Sequence, residues 1–180
     1  HDKLMKIVEV RITDRQVLKL IRKWLEAPIW EAGKSMKAND KGTPQGGIIS
    51  PLLANLYMHF FDKAFHGSNG PGTWAKATLV RYADDFVVMA KYMTIKVITW
   101  IENLLEQRLD LTINREKTKI VDLAQPRNGI DFLGFTLKQV PLDGKPNVKF
   151  CLTMPSRKSQ NKAFNEIRER TDPKNGFKSI

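Results

Sequence analysis

The chain has 180 residues, 42% hydrophobic and 27% charged, and its 30 Lys+Arg against 19 Asp+Glu give a formal net charge of +11. That apolar share excludes a disordered basic tail or a fibrous chain, and the length suits one domain, or one domain and the start of another. Cys151 is the lone cysteine; with three scattered histidines it offers neither an internal disulfide nor a zinc-ligand spacing. The longest apolar stretch, residues 48–65, is broken by Ser50, Pro51, Asn55, His59, Asp62 and Lys63, which rules it out as a bilayer span. A protein of a reducing compartment with an electropositive surface remains, and nucleic acid is the commonest partner of that profile. A membrane surface is the lesser alternative, because no helix sets Lys and Arg opposite an apolar face.

His1-Asp2-Lys3 leads straight into helical spacing at Leu4, Ile7, Val8 and Ile12, so the chain is expected to start inside a larger reading frame. Helices are predicted over residues 2–11 and 14–26. Asp14 is the N-cap of the second, whose apolar face is Val17, Leu18, Ile21, Trp24 and Leu25. Residues 31–41 lack a strong period and read as a loop or weak hairpin. A glycine-rich turn, Gly42-Thr43-Pro44-Gln45-Gly46-Gly47, precedes Ser50-Pro51, a helix start with a hydroxyl cap and proline at the first helical position. That helix runs to His66 and is expected to bury Leu52, Leu53, Leu56, Phe60, Phe61 and Phe65.

Strand, turn and strand follow: residues 78–83, then Asp84-Asp85 as the tip, then 86–90. Thr94 can cap a helix carrying Val97, Ile98, Ile101, Leu104, Leu105 and Leu109 at 3.6 spacing. Strands are predicted at 118–122 and 130–137, the latter opening a hairpin through Asp143-Gly144 to 148–153. The last helix starts near Ser156 and is basic, with Arg157, Lys158, Lys162, Arg168 and Arg170. Helices mixed with antiparallel hairpins indicate the α+β class.

Two features could carry chemistry. Adjacent carboxylates at a hairpin tip repel unless a cation neutralises them, and hard oxygen donors select Mg²⁺. An isolated Asp-Asp tip is otherwise ordinary turn chemistry. Glycines ahead of a helix start let backbone N–H groups approach an anion or a base pair, and Gln45 can donate and accept at once. The segment lacks the Lys-Ser/Thr ending of a P-loop, so a capped loop without catalytic consequence is its plain alternative.

Four blocks come in a telling order: Gln45-Gly46-Gly47-Ile48-Ile49-Ser50-Pro51-Leu52-Leu53-Ala54-Asn55, Tyr82-Ala83-Asp84-Asp85, Asn114-Arg115-Glu116-Lys117-Thr118, and Phe132-Leu133-Gly134-Phe135. In order and spacing the chain resembles reverse transcriptases, and the first block most resembles bacterial group II intron-encoded reverse transcriptase/maturases. The resemblance implies a palm, a ferredoxin-like antiparallel sheet backed by helices, over residues 1–154, and the start of a helical thumb over 155–180. It implies that Asp84 is a catalytic metal ligand, with Asp85 beside it as weaker ligand or electrostatic support. Tyr82 and Ala83 would lie under the primer terminus, and Gln45 and Gly46 would border the incoming nucleotide and the templating pair. Lys117 would sit near the triphosphate, where an ammonium could stabilise or protonate the leaving pyrophosphate; a solvated lysine after a loop is its alternative. Phe132, Leu133, Gly134 and Phe135 resemble the primer grip, and also suit a core strand in which Gly134 permits close packing. Arg157, Lys158 and Lys162 would track a template–primer duplex from the first thumb helix, or form a solvated face.

The implied partners are an RNA template, a DNA primer, deoxynucleoside triphosphates and intron RNA, with two Mg²⁺ ions and no membrane; the oligomeric state stays open. The implied location is the bacterial cytoplasm, nucleoid-associated when acting on DNA. One departure matters. The family pattern has a further metal-binding Asp on a first palm strand roughly ten residues before the position matched by His1, with the fingers further upstream. The expectation is therefore that the parent protein polymerises, while this piece alone binds metal weakly and does not. A second function class, an RNA-binding maturase that promotes intron splicing with polymerase activity secondary, stands beside the first. A polymerase fold with a dead site is disfavoured, because Gln45, Asp84, Asp85 and Lys117 are all present. The charge rises toward the thumb, where residues 138–180 hold ten Lys+Arg against four Asp+Glu.

Overall fold

The computed structural model describes residues 1–28, 42–43, 47–125, 127–142 and 145–172. The expected loop at 31–41, the residues Gln45 and Gly46, and the hairpin tip Asp143-Gly144 lie outside the described residues. The chain divides into two compact units, His1–Asn114 and Arg115–Ile180.

In the first unit, α1 (Asp2–Glu9) and α2 (Arg15–Glu26) come first and pack together. The predicted cap is present: the Asp14 carboxylate accepts from the backbone N–H of Gln16 at 2.7 Å and of Val17 at 3.2 Å, satisfying donors that a helix start leaves open. Leu4, Met5 and Val8 of α1 are buried with Ile21 and Leu25 of α2 and Leu53 of α3 (Ser50–His66). Val17 and Trp24, expected on that face, are 39% and 43% exposed, at the rim of the apolar stripe.

Helix α3 is the spine of this unit. Leu53 and Leu56 face the first cluster, while Met58, Phe61 and Phe65 enter a second with Ala77, Leu104, Leu105 and Leu109. Tyr57 packs against both. Positions 53, 57, 61 and 65 form one i+4 row, the one facing inward. Leu52 and Phe60 belong to the adjacent row and are exposed, which corrects their assignment to the core. The cap assignment also shifts by one: Ile49 is the N-cap, so Ser50 is the first helical residue and Pro51 the second. After α3 the chain turns at Gly67–Gly70 into the single turn α4 (Pro71–Trp74). Gly70 is buried against the carbonyls of Ala64 and Phe65; a Cβ built there would lie 2.1 Å from the Phe65 oxygen.

Strands β1 (Thr78–Tyr82) and β2 (Asp85–Met89) pair antiparallel, with Tyr82 opposite Asp85 and Thr78 opposite Met89. The two-residue turn is therefore Ala83-Asp84 and not the expected Asp84-Asp85. The register is set by burial: Leu79, Phe86 and Val88 must share the face that meets the second cluster, and a one-residue slip would reverse every side chain. Ala83 takes the left-handed φ of +53° that lets so short a turn close.

Helix α5 (Ile95–Glu102) begins after Thr94, which occupies the N-cap without a side-chain cap bond. It continues as a π-helical stretch, Asn103–Arg108. There the Leu109 N–H donates to the Leu104 carbonyl at 3.0 Å, five residues back. The wider turn brings Leu104, Leu105 and Leu109 into the core together, a grouping that a regular 3.6-residue turn spreads over a wider arc.

The second unit holds a three-stranded antiparallel sheet in the order β3 (Ile130–Phe132), β4 (Phe135–Leu142), β5 (Lys145–Pro155), followed by α6 (Arg157–Thr171). The strand expected over 130–137 is thus a hairpin with the turn Leu133-Gly134, both at positive φ, +49° and +82°. Residues 118–122, expected as a strand, carry none. Asp122 instead builds a local turn: its carboxylate accepts from Ala124 N–H, and its carbonyl from the Asn128 amide, both at 2.8 Å. Among the described residues, every buried apolar side chain of the core lies between Leu4 and Leu109, and Ser156 is the buried residue of the second unit. No helix among the described residues is long and apolar enough to cross a membrane.

Candidate active site

Asp84 and Asp85 are both exposed, one in the turn and one opening β2. Tyr82, directly opposite Asp85, is 66% exposed. Beneath this tip lies a polar arrangement that pattern reading did not single out. Arg81 occupies an inward position of β1, where alternation calls for an apolar residue. Its guanidinium grips Asp62 of α3 in a fork, Nε to Oδ1 at 2.8 Å and Nη2 to Oδ2 at 2.6 Å. Nη1 donates to the side-chain oxygen of Asn55 at 2.9 Å and to the carbonyl of Ala83 at 2.7 Å. Asn55 and Asp62 are seven residues apart on α3, two turns along one face, so both reach the same guanidinium. The hydrogen bond to Asp62 pushes the Arg81 pKa above its ordinary value, with partial burial opposing. The signal available in the sequence was a charged residue on the buried face of a strand.

Lys117 is exposed in a turn of the second unit. In that unit the Phe132–Phe135 hairpin is tied to the start of α6. The Gly134 carbonyl accepts from Ser156 N–H at 2.8 Å and from the Ser159 hydroxyl at 2.9 Å. Ser156 caps α6, its hydroxyl accepting from Ser159 N–H at 3.2 Å. A shallow cavity of about 340 Å³ lies at this junction, lined by Asp131, Leu133, Gly134, Lys158 and Lys162 among others. Phe135 and Leu133 are half exposed, and Arg157, Lys158 and Lys162 are exposed. The hairpin and two of the three predicted thumb cations therefore share one site.

No cluster of three or more His, Cys, Asp or Glu able to hold a metal occurs among the described residues. The two carboxylates of Asp84 and Asp85 nonetheless suit Mg²⁺, which takes hard oxygen donors and is commonly held by one or two carboxylates, with water and substrate phosphate completing its shell.

The chain belongs to the reverse transcriptase (RNA-dependent DNA polymerase) family, whose model matches residues 1–137. This is the family that the four motif blocks resemble. Among its relatives, protein YkfC of Escherichia coli K12 is 31% identical over 190 aligned positions, covering 89% of this chain and 49% of that protein. The group II intron-encoded protein LtrA of Lactococcus lactis is 44% identical over 63 residues, 35% of this chain and 10% of that protein. Nuclear intron maturase 3, mitochondrial, of Arabidopsis thaliana is 26% identical over 163 residues, 78% of this chain and 22% of that protein. The chain spans about half the length of the first of these curated relatives and less of the others.

Proposed function

We propose that residues 1–154 form part of the palm, and 155–180 the start of the thumb, of an RNA-directed DNA polymerase of the group II intron type. The observation that carries this reading is the exposed Asp84-Asp85 pair on a braced two-residue hairpin, in a chain of the reverse transcriptase family. Asp84, supported by Asp85, would hold Mg²⁺. When bound, the metal supplies charge stabilisation for the attacking and leaving oxygens of phosphoryl transfer.

In the reaction a primer 3′-hydroxyl attacks the α-phosphate of a deoxynucleoside triphosphate and pyrophosphate leaves. Tyr82 and Ala83 support the primer terminus; Gln45 and Gly46 border the incoming nucleotide and its template base. Lys117 neutralises or protonates the leaving pyrophosphate. Phe132, Leu133, Gly134 and Phe135 hold the primer end, with Arg157, Lys158 and Lys162 on the duplex phosphates. An RNA template, a DNA primer and intron RNA are the partners, in the cytoplasm and on the nucleoid during DNA synthesis. The activity belongs to the intact protein. The 180 residues by themselves would bind metal weakly and extend no primer.

A maturase role is the second reading, favoured by the intron-maturase relative that covers most of this chain. Asp84→Asn in the intact protein separates the two. It should abolish primer extension on an RNA template and leave intron splicing support largely intact. Loss of both activities in a folded variant would refute the separation, and undiminished extension would refute the role of Asp84.

A further inference from the structure

We propose that Arg81 is a positioning residue for the catalytic carboxylates, fixing the Ala83–Asp84 peptide by gripping the Ala83 carbonyl from a guanidinium that α3 itself holds in place. The inference rests on the polymerase reading above and adds the device that keeps its metal ligands in register.

Three observations carry it. The Ala83 carbonyl belongs to the peptide that enters Asp84, so the 2.7 Å bond from Arg81 Nη1 fixes the peptide plane from which the Asp84 side chain departs. The guanidinium has little freedom of its own. Four N–H···O contacts, to Asp62 (two), Asn55 and Ala83, bind all three of its nitrogens. A planar fork of this kind defines direction as well as distance, which a lysine ammonium cannot do. Finally, Ala83 sits at φ +53°, a conformation that costs an L-residue energy and persists only where its surroundings impose it. Arg81 and the closing pair Tyr82–Asp85 are those surroundings. The chain thus spends a charged residue on the inward face that Leu79, Phe86 and Val88 share, to brace a turn that would otherwise relax. Helix α3, packed into both core clusters, is the rigid support.

The test uses the intact protein with Arg81→Lys, which keeps the charge and loses the fork, and Asp62→Asn, which keeps Arg81 and loosens its hold. If Arg81 positions the carboxylates, kcat for primer extension falls by about 10–100-fold in both variants, since small misplacements of reacting groups carry penalties of that size. KM for the nucleotide should stay within about twofold, as expected when only transition-state stabilisation is lost. In the same variants amide exchange at the closing pair, Tyr82 and Asp85, should accelerate, while α3 and α5 keep their protection. A purely structural Arg81 would instead lower the melting temperature and loosen α3 together with the turn, with kcat unchanged in the folded fraction; that result overturns the proposal. Should Arg81→Lys fail to fold, Asp62→Asn decides by the same readings. Absence of primer extension in the unsubstituted protein would count against the polymerase reading, and the exchange data would still judge the brace.

Discussion

The phenol of Tyr57 donates a 2.7 Å hydrogen bond to the carbonyl of Leu109, fastening the middle of α3 to the end of the π-helical stretch. The next residue, Asp110, has φ +50° and forms an ion pair with Lys3 of α1. Three segments distant in sequence therefore meet around one hydroxyl.

Tyr57→Phe should lower stability by about 0.5–1.5 kcal/mol, the usual net worth of such a bond. Its pH dependence should be distinctive. Burial pushes the Tyr57 pKa up, with Lys3 opposing and Asp110 adding to the rise. A group whose pKa is raised on folding stabilises fully below its unfolded value, about 10 for tyrosine, and loses that contribution as pH rises through the folded value. Thermal melts from pH 8 to 11.5 should show the parent losing stability above pH 10 more steeply than Tyr57→Phe.

Gly70→Ala should be one of the most damaging small substitutions in the chain. The added Cβ would meet the Phe65 carbonyl oxygen at 2.1 Å and that of Ala64 at 2.2 Å, both backbone atoms of α3 that cannot swing aside. Overpacking costs about 1–3 kcal/mol, and a clash with backbone belongs at the upper end of that range. Denaturant titration of the two proteins measures the difference directly.

Leu133→Asn should do the reverse. Leu133 holds φ +49° in a two-residue hairpin turn ahead of Gly134, where Asn-Gly is the favoured pair, and it is half exposed. Relieving a left-handed non-glycine residue should raise stability by about 1 kcal/mol. If the hairpin grips the primer, the same change lowers primer extension by the intact protein. A gain in the melting midpoint with unchanged extension would argue against that role.

Nucleic-acid affinity should fall linearly with the logarithm of salt concentration, with a slope of about −0.7 to −0.9 per phosphate neutralised. Replacing Arg157, Lys158 and Lys162 together by alanine should flatten the slope by about 2–3, uniformly across sequences. Fluorescence anisotropy with an RNA/DNA duplex at several salt concentrations gives both values; an unchanged slope would assign these cations to solvent.

Pattern reading reached furthest where the physics is local. Asp14 caps α2 through bonds to residues two and three places ahead, so its role is written in adjacent positions. The apolar period of α3 and α5 likewise announced both helices, although it could not distinguish the buried row of Leu53, Phe61 and Phe65 from the neighbouring row of Leu52 and Phe60. What escaped depends on partners distant in the chain. Arg81 meets Asp62 and Asn55, 19 and 26 residues away, and no local rule links them. The Leu133-Gly134 turn escaped because leucine breaks the local preference for asparagine at a left-handed position, so the hairpin read as one strand. The carboxylates were found and their tip misplaced by one residue, since register answers to the inward packing of Phe86 and Val88.

The confinement of the apolar core to residues between Leu4 and Leu109 has a kinetic consequence. The second unit is knit by a long antiparallel ladder between β4 and β5 and by the Gly134–Ser156 junction, without a sealed apolar centre among its described residues. Such a ladder opens through small fluctuations that cost far less than global unfolding. In deuterium its amides would be the early ones to fade and those of α3 the late ones. A protease at low dose would find the 135–155 hairpin first. A ligand bound across this sheet would slow both clocks together.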